Sequence, residues 1–316
     1  MAKFKAWIRD LRVKLTSTSL HKTMIFGAEH LEGKQDFDIE VKGSKYMSFL
    51  KDQFTVRIKN LTCGEVLQLV NGKFYDIEIF AGYKTSGAQS VFKGSVIYMS
   101  YQQDDPTTNT IIILAGSKLI AQYGQSKMNM SLNSGINMYS AIKFLCKRAG
   151  IENANINEDF KYRILQDVVN AQDSVGSALQ DFADQNGLVG NSEGTDNNVL
   201  TLLDPKKNNN RVIKLDESNL VLVSGYPKLN SDGLTLSTLP IFNFMPLDVI
   251  QLDASLIDIS VDSYQPSDFN KTIFLDKDNK YIILQIDYDL SNRSQTYQLN
   301  ITAKARSLYL KDGGAS

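Results

Sequence analysis

The sequence has few of the residue types on which most enzyme and metal chemistry depends. Its 316 residues include only two histidines, His21 and His30, and two cysteines, Cys63 and Cys146. The histidines match no metal-binding spacing, so we predict no metal site. Two cysteines provide no disulfide framework, and we interpret both as small, buried apolar side chains in a reducing compartment.

Catalytic motifs are missing as well. The sequence has no GxSxG nucleophile elbow, no GxxxxGK[ST] phosphate loop and no GxGxxG after a strand. Carboxylates do recur at i,i+2 spacing, in Asp36, Asp38 and Glu40 and again in Asp76 and Glu78. In a strand this spacing describes the solvent-facing side, so we predict no catalytic or cofactor-binding residues and a protein that is not an enzyme.

Neither charge nor hydrophobicity points to nucleic acid or to a membrane. The formal net charge is -1, the isoelectric point is near 6.2, and no apolar run approaches the length of about 18 residues that a spanning helix needs. The first fifteen residues, MAKFKAWIRDLRVKL, are interrupted by charges and do not match a signal peptide. We therefore expect assembly in the cytoplasm, no membrane span and no stable binding of nucleic acid.

Residues 1–125 show the two-residue period of half-buried β-strands. Apolar and polar residues alternate in DFDIEV (36–41), FTVRIKNL (54–61) and FYDIEIFAGY (74–83). The pair Asn71-Gly72 predicts a hairpin between the last two, and SVFKGSVIYMSY (90–101) predicts a further strand. TIIILAG (110–116) is apolar on both faces, which favours a central strand. This segment therefore predicts a first β-barrel domain preceded by an N-terminal arm.

Residues 126–210 predict a small mixed α/β domain. Apolar residues follow helical spacing between Ser131 and Gly150, with Asn133 or Ser134 as the cap. A second helix is predicted over residues 173–187, with Asp173 as its N-cap. VLTLLD (199–204) indicates a strand.

Residues 211–316 return to strand patterns and predict a second β-barrel domain. Strands are predicted over residues 219–225, 234–239, 247–254, 256–261, 281–288 and 297–305. The last two read as one long antiparallel hairpin. The predicted fold is thus mainly β with a small α+β part, in which two similar antiparallel β-barrel modules bracket a small helix-containing domain.

Aromatic residues are the candidates for a partner-binding surface. The segment STLPIFNFMP (237–246) places Phe242, Phe244 and Met245 between two prolines, a composition typical of interfaces when it is exposed. The alternative is a loop buried under the sheet. Trp7, which lies among basic residues near the N-terminus, is the fourth candidate, and its alternative is an edge strand with solvated charges.

The order of several short motifs resembles that of a known family. The motifs are RIKNL (57–61), IEIFAGY (77–83), VFKG (91–94), VGSALQDFADQNGL (175–188), GYPKLNSDGLTLSTL (225–239), PLDVIQLD (246–253) and the terminal hairpin NKYIILQIDYDLSNRSQTYQLNITA (279–303). Over about residues 20–306 this order resembles the baseplate hub proteins of contractile-tailed bacteriophages, the late control protein D-like family. The sequence departs from the family at Leu247, where a glycine is expected in a tight turn.

The resemblance implies a structural subunit of the virion tail baseplate. Hub proteins of this group form homotrimers that join the hexameric tail tube to the trimeric spike and leave a central channel. The implied partners are further copies of the chain, the tail tube protein and the central spike protein, with the tape measure protein and baseplate wedge proteins as additional candidates. Two alternatives stay open: a tail-tip protein with peptidoglycan hydrolase activity, and a receptor-binding tail component.

Overall fold

The computed structural model describes most of the chain and divides it into two compact units. Unit 1 contains Met1–Lys45, Gln53–Ala115 and Asn210–Tyr309, and unit 2 contains Tyr46–Asp52, Gly116–Asn209 and Leu310–Ser316. Both segments that the sequence predicts as β modules therefore belong to one unit. The described residues are 8–27, 37–47, 52–84, 87–104, 108–117, 127, 129–149, 151, 154–156, 158–171, 174–191, 200–204, 211–216, 225–230, 233–259 and 278–307.

In the described residues, the first β segment of unit 1 contains seven strands and one helix. They are β1 (Arg9–Ser17), β2 (Lys22–Phe26), β3 (Asp38–Tyr46), β4 (Gln53–Lys59), α1 (Cys63–Asn71), β5 (Asp76–Tyr83), β6 (Gly87–Gln103) and β7 (Asn109–Gly116). The strands predicted from alternation are confirmed, and β7 lies between β4 and β6 as its apolar sequence suggested. Strands β1 and β2 were not predicted, although Leu11, Val13 and Leu15 alternate and are buried.

The hairpin predicted at Asn71-Gly72 is wrong, because the connection between β4 and β5 is helix α1. Thr62 caps this helix by accepting a hydrogen bond from the Glu65 amide at 3.3 Å, and the Glu65 carboxylate accepts one from the Thr62 amide at 2.8 Å. This reciprocal capping box satisfies amides that the first turn of a helix leaves unpaired. Strand β4 consequently pairs with β3 and β7 instead of β5.

Unit 2 is built around two amphipathic helices. Its elements are β8 (Met130–Leu132), α2 (Met138–Ala149), β9 (Ala154–Ile156), a 3-10 helix (Glu158–Tyr162), β10 (Val169–Ala171), α3 (Val175–Gln185), β11 (Val189–Asn191) and β12 (Leu200–Leu203). The core contains Ile142, Leu145, Phe160 and Phe182, which are fully buried. Both helices were predicted, and so was β12.

The predicted helix caps need correction. Asn137, and neither Asn133 nor Ser134, caps α2, because its side-chain oxygen accepts a hydrogen bond from the Ser140 amide at 3.2 Å. Ser174 caps α3 by accepting from the Ser177 amide at 3.2 Å. The predicted cap Asp173 lies outside the described residues.

The second β segment of unit 1 contains the remaining strands. They are β13 (Val212–Leu215), β14 (Lys228–Asn230), β15 (Gly233–Thr238), β16 (Val249–Leu252), β17 (Asp258–Ile259), β18 (Lys280–Ser291) and β19 (Tyr297–Ala305). The predicted terminal hairpin is confirmed as β18–β19. Within the predicted strand at 256–261, the described residues form β17 after a 3-10 turn over Ala254–Leu256, and residues 260 and 261 lie outside the described residues. The predicted strand at 219–225 lies almost wholly outside them as well.

One sheet runs through both β segments of unit 1. Its order is β17-β14-β15-β19-β18-β3-β4-β7-β6-β5-β1-β2, and β16 and β13 extend from β18. Strand β18 joins the two segments, because its first residues pair with β16 and its last residues lie beside β3. The Lys42 ammonium lies 3.8 Å from an Asp289 carboxylate oxygen, and the Ser44 hydroxyl donates a hydrogen bond to the Asp287 carboxylate at 2.5 Å. Among the described strands this sheet is open, so the structure shows a mainly antiparallel β fold and does not show two separate barrels.

Aromatic packing on the buried side of the sheet joins the two segments. Phe54 stacks on Phe92 with ring centroids 4.2 Å apart and contacts Tyr288 at 5.3 Å. Gly43 lies opposite Phe54 in the β3–β4 pair, and a Cβ atom at Gly43 would fall 2.4 Å from the Phe54 ring. Gly43 therefore leaves the space that the ring occupies.

A buried tyrosine ties the β18–β19 hairpin to the first segment. The Tyr297 hydroxyl accepts a hydrogen bond from the Gly82 amide at 3.0 Å and lies 2.9 Å and 3.1 Å from the carbonyl oxygens of Gly82 and Asp10. The Arg9 guanidinium stacks over the Tyr297 ring at 5.1 Å and donates to the Ser291 carbonyl at 2.8 Å. Burial raises the pKa of Tyr297 above its usual value, which keeps the hydroxyl protonated as a donor.

The departure from the family pattern at Leu247 has a structural consequence. Leu247 has a φ of 76°, in the left-handed region that favours glycine. Its side chain is only 6% exposed, and its amide donates to the Ile283 carbonyl at 2.9 Å. Burial of the leucine side chain offsets a backbone cost of about 1–2 kcal/mol.

Candidate functional surface

The side of the sheet opposite the core is polar across four neighbouring strands. We call this surface the polar face. It consists of Asp38, Glu40, Lys42 and Ser44 on β3, Thr55, Arg57 and Lys59 on β4, Gln285, Asp287 and Asp289 on β18, and Gln298, Asn300, Thr302 and Lys304 on β19. Most of these positions alternate with buried core residues, so the period of the strands places them on one side.

Two lysines of the polar face form ion pairs with carboxylates of the same face. Lys59 lies 3.1 Å from Glu40 and 3.4 Å from Asp38, and its hydrogen bond to Glu40 raises the pKa of the ammonium group above its usual value. Between β3 and β18, Lys42 lies 3.8 Å from Asp289. Glu78 shows the same arrangement further along the sheet, between Lys14 at 3.6 Å and Lys93 at 3.2 Å.

The polar face as defined carries no net charge. Its four carboxylates are Asp38, Glu40, Asp287 and Asp289, and its four cations are Lys42, Arg57, Lys59 and Lys304. A surface of this kind is hydrated but has no excess of positive charge to attract phosphate groups.

The predicted interface residues have different environments. Phe244 is 1% exposed and belongs to the core of unit 1, so its side chain is not available to a partner. Phe242 is half-buried and meets Phe244 edge-on at 5.7 Å. Met245 is also half-buried, and its sulfur lies 3.7 Å from the Lys45 ammonium. Trp7 lies outside the described residues.

The loop that carries these residues is held by an ion pair that the sequence did not reveal. Asp248 is 8% exposed and accepts a hydrogen bond from the Met245 amide at 2.9 Å. Arg211 donates to the same carboxylate through Nε at 3.2 Å. These contacts hold the segment 240–248 in place. The burial of Phe244 agrees with the alternative prediction of a loop buried under the sheet.

The groups considered for chemistry do not form a reaction centre among the described residues. Asp76 accepts a hydrogen bond from Thr18 at 3.1 Å, and Glu78 is engaged by two lysines. His21 is exposed in the turn between β1 and β2, while His30 and Asp36 lie outside the described residues. Cys146 is buried as predicted, but Cys63 is exposed on the first turn of α1, which corrects the prediction for that residue.

A cleft in unit 2 likewise lacks a pair of acids. It has a volume of about 580 Å³, and its polar lining consists of Tyr162, Arg163, Gln166, Asp167, Gln185 and Asn186. Asp167 is the one carboxylate among these, whereas hydrolysis of a glycosidic bond ordinarily uses two. In the part of the chain that the structure describes, no group of three or more His, Cys, Asp or Glu residues could hold a metal ion, and no helix is long and apolar enough to span a membrane.

Comparisons with known proteins identify the fold. No family model matches the chain, and no curated protein matches its sequence. The 43 kDa tail protein of prophage MuSo2 from Shewanella oneidensis matches with a TM-score of 0.55 and 11% identity, covering 95% of this chain and 97% of that one. A tail protein from Neisseria meningitidis matches with a TM-score of 0.57 and 10% identity, covering 97% and 99%. The chain has the fold of phage tail proteins.

A bacterial secretion protein shares this tail-protein fold. It is an E. coli component of the type VI secretion system, itself described as structurally similar to the T4 bacteriophage tail proteins gp27 and gp5. It matches with a TM-score of 0.52 and 12% identity, covering 87% of this chain and 75% of that one. At such low identities the similarity concerns the fold alone.

Proposed function

We propose that the chain is a structural hub subunit in the tail baseplate of a contractile phage or a phage-derived particle. Three copies form a ring that joins the hexameric tail tube to the trimeric spike and leaves a central channel. The proposal rests on one observation above all: the fold agrees with that of two phage tail proteins over nearly the full length of each chain.

The arrangement of unit 1 supports a ring of three. Each copy carries two β segments joined through β18 and β3, so three copies supply six segments to a sixfold tube. Strands β2 and β17 end the described sheet order, and sheet edges of this kind can pair with another chain. The symmetry of a closed ring then requires that one copy present different surfaces to its two neighbours.

The polar face supports the channel. A duct for DNA must be hydrated and must not hold the phosphate backbone, because each phosphate contact made by Lys or Arg strengthens retention. Paired charges such as Lys59 with Glu40 fulfil both conditions.

The mass of the purified protein, alone and mixed with its tube protein or its spike protein, tests this function. We expect a particle of three chains that forms a stable complex with each partner. A chain that stays monomeric at micromolar concentration and joins neither partner would contradict the proposal. Peptidoglycan hydrolysis lost in Asp76→Asn or Glu78→Gln would favour a tail-tip hydrolase, and binding to host cells alone would favour a receptor-binding component.

A further inference from the structure

The outward side of α2 is basic and partly apolar. The inward residues of this helix, among them Ala141, Ile142 and Leu145, are fully buried, and the opposite side is exposed. We call the exposed side the α2 stripe, and it consists of Ser140, Lys143, Phe144, Lys147 and Arg148. The helix contains no acidic residue. Within the described residues, none of the three cations of the α2 stripe has an ion pair with a carboxylate.

Two of these cations are held in place by aromatic rings. Lys143 lies 4.7 Å above the Tyr139 ring, and Arg148 lies 5.4 Å from the Phe144 ring. Phe144 itself is 41% exposed. Aromatic residues and arginine are enriched at protein interfaces, and the exposed cations beside Phe144 would complement an acidic surface.

The outward side of α3 has the opposite charge. Its inward residues include Leu179, Phe182 and Ala183, and the side facing away from them, the α3 stripe, consists of Ser177, Gln180, Asp181, Asp184 and Gln185. Helix α3 has no basic residue in its last turn. Asp184 therefore lies at the negative end of the helix dipole, where a carboxylate is favoured by a nearby cation, and its described hydrogen-bond partner is the neutral Gln180 amide at 2.8 Å.

The two stripes are opposite in charge, and their charged residues have similar spacing along the helix. Lys143 and Lys147 are four residues apart, Asp181 and Asp184 are three apart, and either spacing corresponds to about one helical turn of 5.4 Å. Two helices lying side by side can thus bring each lysine to one aspartate. Among the described residues no ion pair joins the two stripes within one chain, so a contact between them would be made between different molecules.

We propose that the α2 stripe of one copy docks against the α3 stripe of the next copy. This inference rests on the proposed homotrimer and names a contact within it. A ring with an odd number of identical chains is closed by contacts in which one surface of each chain binds a different surface of the next chain. In a closed ring of three copies, three identical α2–α3 contacts then give each α2 stripe and each α3 stripe a partner of opposite charge.

Charge reversal of either stripe tests the contact. We expect Lys143→Glu with Lys147→Glu, and separately Asp181→Lys with Asp184→Lys, to raise the concentration at which the trimer dissociates by about tenfold or more. The chain that carries all four changes should recover the wild-type value, because each junction is again complementary. Dissociation should also increase with salt, since exposed ion pairs are screened. Sedimentation velocity over a concentration series measures all of these.

Mixing the two reversed variants gives a sharper result. One variant then has two negative stripes and the other two positive stripes, so opposite variants attract each other. A ring of three must contain at least one junction between like variants, and the mixture should therefore accumulate two-chain species instead of closed trimers. The control is Lys73→Glu with Lys84→Glu, two exposed lysines of unit 1 whose reversal changes the net charge equally and should leave the trimer intact.

The outcomes separate this inference from the proposed function. A wild-type trimer that is unaffected by both reversals and by salt would overturn the α2–α3 contact and leave the trimer standing. A wild-type monomer would overturn both. An effect of the α2 reversal alone, without recovery in the fourfold variant, would show that the basic stripe binds a different acidic partner. Near-UV circular dichroism verifies folding, and Lys143→Gln with Lys147→Gln provides a milder variant with the same direction of change.

Discussion

At the scale of single residues, Gly43 is required by the ring of Phe54. An alanine there would place Cβ 2.4 Å from the ring, and the ring cannot move freely because it is stacked on Phe92. We expect Gly43→Ala to lower the free energy of unfolding by about 1–3 kcal/mol, the usual cost of overpacking. Urea denaturation followed by fluorescence measures the change.

Gly64 provides a matched control for that substitution. It lies in the first turn of α1, and an added Cβ would meet no atom within 4 Å. Gly64→Ala should therefore leave stability unchanged or increase it by up to about 1 kcal/mol, because alanine loses less conformational entropy in a helix. Equal effects of the two substitutions would refute the role assigned to Gly43.

The two cysteines should differ sharply in reactivity. Cys63 is exposed, whereas burial raises the pKa of the Cys146 thiol to about 12 and keeps it protonated and inaccessible at neutral pH. We expect one thiol per chain to react rapidly with a chromogenic disulfide in the native protein and a second only in denaturant. In Cys63→Ser the rapid reaction should disappear. Rapid modification of two thiols in the folded wild type would contradict the structure.

Some residues were misjudged because single positions carry little information about packing. Burial of Cys63 is predicted because cysteine is usually buried, yet this residue is exposed because it begins a helix that capping stabilises. Phe244 is buried because Asp248 and Arg211 fix its loop, and this ion pair joins residues far apart in the sequence. The family resemblance implies a glycine at Leu247, and the positive φ of this residue agrees with that expectation.

At the scale of elements, the attachment of the β18–β19 hairpin should depend on Tyr297. Tyr297→Phe removes a buried hydroxyl that serves the Gly82 amide and a carbonyl, which leaves these backbone groups unpaired. We expect a loss of about 1–3 kcal/mol in the free energy of unfolding. Tyr98→Phe, at a residue that is 60% exposed, is the control and should change stability by less than about 0.5 kcal/mol.

The same tyrosine should make stability sensitive to alkali. Burial raises the pKa of Tyr297, and it raises the pKa of Tyr83 to about 12, whereas both phenols titrate near 10 in the unfolded chain. Between these values only the unfolded chain releases the protons, so the free energy of unfolding falls as pH rises above about 10. This fall should be smaller in Tyr297→Phe, and an equal fall in both proteins would contradict the assignment.

Most strands could be predicted from alternation, but α1 could not be placed by hydrophobic pattern alone. The sequence Thr62-Cys63-Gly64-Glu65 contains the capping-box signature S/T-x-x-E, and this signal was available. The pair Asn71-Gly72 favoured a hairpin turn instead, but in the structure this pair lies at the end of helix α1. Strand β1 shows that alternation can be overlooked when charged residues such as Arg9, Arg12 and Lys14 occupy the other face.

At the scale of the whole molecule, pairing between distant strands was the least predictable feature. The sequence indicates two β segments separated by a helical part, and most of the predicted strands that fall on described residues are present. That β3 lies beside β18 follows from contacts such as Lys42 with Asp289, more than two hundred residues apart, which no local pattern encodes. The open sheet that results is the reason that separate barrels are not observed.

The balanced charge of the polar face leads to a prediction for the assembled protein. Because its carboxylates and cations are equal in number, and Lys42 and Lys59 form ion pairs on this face, we expect the purified protein to hold duplex DNA no more tightly than the weak end of nonspecific binding, a Kd of about 10⁻⁴ M at physiological salt. Fluorescence anisotropy of a labelled duplex measures this.

Reversal of two acids on that face should create binding. Glu40 and Asp289 each form an ion pair with a lysine, so Glu40→Lys with Asp289→Lys adds two cations, removes the carboxylate beside Lys42 and leaves Lys59 with Asp38 at 3.4 Å. We expect the affinity for DNA to increase and to fall steeply with salt, because each new phosphate contact releases counterions. Glu158→Lys with Asp253→Lys, at two exposed acids outside the polar face, changes the net charge equally and should have a smaller effect. Submicromolar binding by the wild type would be incompatible with a channel through which DNA passes without being held.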